Sequence, residues 1–211
     1  MSAADDLAVM KDAWAALCAV AGVTRYDLTF QLIELAYTAP GRRYHNARHI
    51  ADCLGKLEAV RPMFADALAA SAALLFHDYV YDPARGDNEE ASADEAGMAL
   101  HAVGWPTPRV EVARGLILAT RHAAPPATPD AALVADIDLS ILGAPPDEFA
   151  RYEAAIRREY AHVPDDAYRA GRASVLHGFL ARPRIYATNH FASRCESTAR
   201  QNLGRSLSLL T

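Results

Sequence analysis

Residues 67–78 read ALAASAALLFHD, the longest apolar run of the chain, which ends in two ionisable side chains. The pattern predicts a helix over residues 63–80 that is apolar nearly all round, and such a helix lies at the centre of a helical protein. His77 and Asp78 close the run, and burying adjacent ionisable groups is costly unless something pairs with them or coordinates them. The run therefore predicts the centre of the fold and a functional group at one end of it.

Apolar residues at helical spacing recur on both sides of this run, and the alternation typical of strands is almost absent. Alanine is abundant throughout the chain, and alanine has the lowest cost of any residue in a helix. This pattern favours an all-α protein with a single domain over residues 1–211 and about nine or ten helices. Besides the central helix, the predicted helices cover residues 7–20, 25–37, 46–60, 88–103 with an N-cap at Asn88, 107–122, 131–142, 147–162, 165–181 and 191–210.

The composition excludes several classes of protein. The chain has 211 residues, of which 52% are hydrophobic, so intrinsic disorder is excluded. Three widely spaced cysteines exclude a disulfide scaffold. A net charge of −5 argues against binding to a nucleic-acid polymer, which needs a basic face. No stretch approaches the roughly 18 apolar residues of a membrane span, and the acidic start is unlike a secretion signal, so a cytoplasmic protein is expected.

Two further segments contain ionisable residues in helical patterns. The sequence YHNARH at residues 44–49 holds His45 and His49, which are four residues apart and would share one face of a helix. In the predicted helix over 131–142, Asp138 shares its face with apolar neighbours, which would direct its carboxylate inward. A divalent metal ion would compensate all of these buried groups, and imidazoles with carboxylates suit Mn, Fe, Co, Ni or Zn, with Mg as a further candidate.

A histidine, a distant His-Asp pair and a more distant aspartate resemble the pattern of the HD-domain metal-dependent phosphohydrolases. The chain is most similar to a branch of that family that begins with a YHNxxH segment and also contains NEExSA and DxDL segments, here at residues 44–49, 88–93 and 136–139. The resemblance covers nearly the whole chain and implies an HD-domain-like helical bundle.

Roles follow from the resemblance position by position. His49 matches the first metal-ligating histidine, His77 and Asp78 match the metal-binding pair, and Asp138 matches the distal aspartate. Asp136 could take the last role instead if its helix started later. His45 resembles the general acid of the cyclic-nucleotide phosphodiesterases, which share this broad fold.

The chemistry also needs a group that handles a proton, and the two candidates are His45 and Glu89. The implied function is divalent-metal-dependent hydrolysis of a small phosphorylated compound, with nucleotides among the candidates and with monoesters and diesters both open. Water activated by the metal would attack phosphorus.

One alternative is a di-iron oxygenase on the same fold, for which His122 would be an additional ligand. Another is a non-catalytic sensor module that binds a nucleotide. An apolar face on the last helix points to a homo-oligomer.

Overall fold

The computed structural model describes residues 2–24 and 27–210, and within these residues every regular element is helical. The expected all-α class is therefore confirmed. None of the helices in the described residues combines the length and the apolar character needed to cross a membrane. The ten α-helices are α1 (Ala3–Val20), α2 (Asp27–Tyr37), α3 (Ala47–Val60), α4 (Ala67–Phe76), α5 (Asn88–Ala102), α6 (Thr107–Ala119), α7 (Pro129–Asp138), α8 (Pro146–Glu159), α9 (Asp165–Leu180) and α10 (Asn189–Leu210).

The chain divides into two compact units, one up to Val134 and one from Ala135 onward. In the first unit, α4 packs against α1, α3, α5 and α6. All residues of α4 from Ala69 to Phe76 are buried. The run that decides the fold is therefore the central helix of this unit, as its all-round apolar character predicts.

The central helix is shorter than the predicted span of 63–80. Pro62 lies in a 3₁₀ turn over Arg61–Met63, and α4 begins only after Asp66, whose carboxylate accepts hydrogen bonds from the backbone N–H groups of Leu68 and Ala69. The helix ends at Phe76, which leaves His77 and Asp78 in the turn that follows. His77 caps the end of α4 and still has helical backbone angles, with φ of −58° and ψ of −32°.

The start of α5 and the end of α7 differ from the prediction. The expectation that Asn88 caps α5 is wrong, since Asn88 is the first residue of the helix and its side-chain amide instead pairs with both backbone groups of Asp82. The predicted helix over 131–142 also stops early, because α7 ends at Asp138 and a 3₁₀ segment, Leu139–Gly143, follows.

In the second unit this 3₁₀ segment packs closely against α10. The side-chain amide of Asn202 donates hydrogen bonds to the carbonyls of Leu142 and Ala144. A Cβ atom added at Gly143 would lie 2.6 Å from Cβ of Cys195, so only glycine permits this approach.

Candidate metal centre

Within the first unit, α3 and α4 bring His49 and His77 together. Asn46 caps α3, because its side-chain oxygen accepts hydrogen bonds from the backbone N–H groups of Arg48 and His49. His49 is thus in the first turn of α3, and His77 directly follows the packed helix α4. Both histidines are buried, with 5% and 2% of their surfaces exposed.

Three potential ligand atoms converge here. Nε2 of His49 lies 3.1 Å from Nε2 of His77, and Oδ2 of Asp78 lies 3.1 Å from Nε2 of His77 and 3.5 Å from Nε2 of His49. We refer to His49, His77 and Asp78 as the His-His-Asp cluster. The two histidines, without Asp78, also belong to a group of side chains whose ligand atoms lie within 4.8 Å of one another and could hold a metal ion.

The surroundings of His77 determine which of its nitrogen atoms is available. Nδ1 of His77 lies 3.0 Å from the carbonyl oxygen of Leu74, and a carbonyl can only accept a hydrogen bond. The proton of a neutral ring is therefore on Nδ1, and the lone pair on Nε2 faces the cluster. Metal-ligating histidines are held in this way, with the second ring nitrogen bound to a carbonyl or a carboxylate.

Asp78 contributes a buried carboxylate oxygen, Oδ2, that accepts no hydrogen bond from the described residues. While the His77 ring is neutral, its 3.1 Å contact does not supply one, because the proton of that ring is then on Nδ1. Burial alone would raise the pKa of Asp78, but the positive charge that His77, His45 and His49 carry when protonated outweighs burial and lowers the pKa well below its usual range. A buried anionic oxygen of this kind favours a bound cation.

The prediction that His45 and His49 share one face of a helix is wrong, because α3 starts at Ala47 and His45 precedes it. His45 nevertheless lies beside the cluster, with its ring centroid 6.2 Å from that of His49. It stacks on Tyr81 at a centroid distance of 4.1 Å and remains half-buried. Tertiary contacts, and not helical spacing, therefore bring the two histidines together.

Arg42 holds the backbone around the cluster, and no pattern in the sequence identifies it. Its guanidinium donates hydrogen bonds to the carbonyl oxygens of His45 at 3.0 Å, Asp78 at 2.5 Å and Tyr79 at 2.7 Å. In the sequence, Arg42 is notable only because it lies three residues before His45. From sequence alone, an arginine in a loop that bonds to distant carbonyls looks the same as one that is exposed to solvent.

The other candidates in the first unit lie outside the cluster. Glu89 is half-buried in the first turn of α5, and among the described residues no hydrogen bond or ion pair joins it to the His-His-Asp cluster. Its neighbour Glu90 pairs with Arg121. His122 follows α6 in a left-handed backbone conformation with φ of 53° and does not belong to the group of ligand atoms that contains His49 and His77.

In the second unit the two aspartates of the DxDL segment have different surroundings. Asp136 is 1% exposed, and its two carboxylate oxygens accept hydrogen bonds from the backbone N–H of Ala187 at 2.7 Å and from the backbone N–H and hydroxyl of Thr188 at 2.7 and 2.6 Å. Asp138 is half-buried at the end of α7. These contacts commit Asp136 to structure, and Asp138 as a metal ligand stays a prediction.

Comparisons with known proteins add no relatives. No family model matches the chain, and neither the curated proteins nor the solved structures contain a significant match. The resemblance to HD-domain phosphohydrolases thus rests on the sequence motifs and stays a prediction.

Proposed function

We propose that this protein is a divalent-metal-dependent hydrolase of a small phosphorylated compound. The observation that carries the proposal is the buried Oδ2 of Asp78, which has no hydrogen-bond partner among the described residues and lies within 3.5 Å of the Nε2 atoms of two histidines. Two imidazole nitrogens and a carboxylate oxygen are a donor set that suits borderline divalent ions.

His49, His77 and Asp78 would hold the ion, and the resemblance adds Asp138 as a second carboxylate. The carbonyl of Leu74 keeps the lone pair of His77 directed at the site. When bound, a divalent ion lowers the pKa of water and shields the oxygens of a phosphoryl group. The burial of the two histidines excludes bulk water from one side of the site, which strengthens its electrostatic interactions.

His45 would handle the proton. Its ring is next to the cluster and only half-buried, so a substrate can reach it, and stacking on Tyr81 limits its rotation. A protonated imidazole in this position can donate its proton to the leaving oxygen as the phosphorus–oxygen bond breaks. Glu89 is the second candidate for this role, without a described contact to the cluster.

The proposal is tested by assaying the protein against phosphomonoesters and against cyclic and linear phosphodiesters. Each assay is run with added Mn²⁺, Fe²⁺, Co²⁺, Ni²⁺, Zn²⁺ or Mg²⁺ and in a metal-free control, and the hydrolysis products are quantified. We expect metal-dependent turnover that Asp78→Ala and His77→Gln abolish. The matched control is His101→Gln, which alters an exposed histidine on α5. Turnover that persists in Asp78→Ala would overturn the assignment.

His45→Gln separates the roles of the histidines. Loss of a general acid lowers kcat by roughly 10²-fold or more, while the metal affinity stays within about threefold of the original value. A loss of metal binding in this variant would make His45 a ligand. Binding of two irons with oxygen uptake would favour the di-iron alternative, and nucleotide binding without turnover would favour a sensor module.

A further inference from the structure

Arg42 connects two segments that are distant in the sequence. One segment precedes α3 and contains His45, and the other is the turn after α4 that contains Asp78 and Tyr79. The same Nη1 atom donates to the carbonyls of both His45 and Asp78, and Nη2 donates to the carbonyl of Tyr79. A single planar group therefore fixes the backbone of both segments.

The carbonyls bound by Arg42 need a donor. The last carbonyls of a helix and of the turn behind it have no partner within the helix, and an arginine side chain can satisfy them. In the described structure the backbone N–H of Tyr79 donates to the carbonyl of Phe76 at 2.9 Å, which closes the turn, and the carbonyls of Asp78 and Tyr79 accept hydrogen bonds from Arg42. Arg42 reaches them from a segment 36 residues earlier in the chain.

Arg42 also contacts the aromatic residues around His45. Its guanidinium carbon lies 5.5 Å from the ring centroid of Tyr81, the ring on which His45 stacks, and 5.0 Å from that of Tyr37 on α2. The hydroxyl of Tyr37 donates in turn to the carbonyl of Leu75 in α4. The guanidinium of Arg42 therefore contacts the backbone of His45, the ring on which His45 stacks, and the backbone of Asp78.

We propose that Arg42 is a positioning residue that holds the proton-carrying His45 in fixed register with the ligand carboxylate of Asp78. This inference rests on the function proposed above. Lysine keeps the charge of arginine, but its three N–H donors share a single nitrogen, so it does not reproduce the two spaced nitrogens of the planar fork with which Arg42 binds these carbonyls.

The test compares Arg42→Lys with Arg61→Lys, a matched change at an exposed arginine in the first unit that pairs with Glu58. Mn²⁺ affinity is measured by calorimetry on chelator-treated protein. Since groups that orient a metal ligand typically contribute 10–100-fold to affinity, we expect Arg42→Lys to weaken Mn²⁺ binding by about 10-fold and Arg61→Lys to leave it unchanged. Unchanged Mn²⁺ binding in Arg42→Lys would overturn the link to Asp78.

The link to His45 is tested by a double-mutant cycle on the substrate found in the screen. If Arg42 acts through His45, Arg42→Lys lowers kcat more than it changes KM, and it adds little to the loss in a His45→Gln background. Independent, additive losses would overturn the link. If Arg42→Lys fails to fold, Tyr81→Leu tests the same link, because it removes the ring under His45 while the guanidinium remains.

The two proposals fail in distinguishable ways. Turnover that Asp78→Ala abolishes but Arg42→Lys leaves unchanged refutes only the positioning role. Absence of turnover with every phosphorylated compound refutes the hydrolase, whereas the Mn²⁺ titrations still decide whether Arg42 positions Asp78.

Discussion

Two aspartates in apolar surroundings, Asp78 after α4 and Asp136 in α7, look alike in the sequence and differ in the structure. Asp136 accepts three hydrogen bonds from Ala187 and Thr188 through its two oxygens. Asp78 has a buried Oδ2 without a hydrogen-bond partner in the described residues, beside two imidazole nitrogens. The first arrangement is complete without a ligand, and in the second we propose that a cation supplies the missing partner.

The difference indicates a structural role for Asp136 and is consistent with the metal-binding role proposed for Asp78. Hydrogen bonds to a charged group contribute roughly 1.5–3 kcal/mol each, so the carboxylate of Asp136 fastens the segment before α10 to α7 within the second unit. Burial raises the pKa of Asp136, and the bonds from Thr188 and Ala187 oppose this by favouring the charged form. Substitutions at the two positions should therefore change different measurements.

The largest expected effect is on metal binding by Asp78→Asn. The substitution keeps the shape of the side chain but replaces an anionic ligand with a neutral amide. We expect Mn²⁺ affinity measured by calorimetry to fall by at least about 100-fold, since even loss of a group behind a ligand costs 10–100-fold. Asp12→Asn, at an exposed position on α1, is the control that should bind Mn²⁺ normally. Equal Mn²⁺ affinities in Asp78→Asn and Asp12→Asn would show that Asp78 is not a metal ligand.

Asp136→Asn should give the opposite pattern. An amide nitrogen in place of one carboxylate oxygen would face either the N–H donor of Ala187 or the donors of Thr188, and would leave buried groups unpaired. We expect the free energy of unfolding in urea to fall by about 2–4 kcal/mol, while the folded protein keeps its Mn²⁺ affinity within about threefold. If Asp136→Asn were as stable as the original protein but could not bind Mn²⁺, Asp136 would be a metal ligand and its structural role would be refuted.

Added metal sharpens the comparison, because a ligand that binds only the folded state stabilises it. At a free Mn²⁺ concentration 100 times the Kd, the free energy of unfolding should rise by about 2.7 kcal/mol in the original protein. Asp136→Asn should gain the same increment from its lower starting value, and Asp78→Asn should gain none at that concentration. Mg²⁺-free and Mn²⁺-free urea titrations provide the baseline for each variant.

The smallest expected effect is that of Glu89→Gln. No described hydrogen bond or ion pair joins Glu89 to the cluster, so we expect kcat to fall by about 10-fold or less, against roughly 10²-fold or more for His45→Gln. Initial rates at saturating substrate measure both. A larger loss in Glu89→Gln than in His45→Gln would assign the proton transfer to Glu89.

The prediction of the fold and of the first-unit ligands depended on short-range patterns. The all-round apolar character of residues 67–76 identified the central helix, and the cost of burying His77 and Asp78 beside it identified them as functional candidates. The predictions of helix ends were less accurate, because side chains from other segments compete there with the local capping pattern. Asn88 bonds with Asp82 across the preceding loop instead of capping α5, and α7 gives way to a 3₁₀ segment where Asn202 satisfies the carbonyl of Leu142.

By itself, the sequence determined that the chain is helical and which helix is central, and it predicted that His77 and Asp78 at the end of that helix would need compensation, because these properties follow from spacing and from the cost of burying charge. Only the tertiary structure decided that Asp136 is satisfied within the protein, that Oδ2 of Asp78 is not, and that Arg42 joins His45 to the turn after α4. The physical reason is that a hydrogen bond depends on a distance of about 3 Å between atoms that can be far apart in the chain. No local pattern encodes which distant donor arrives there.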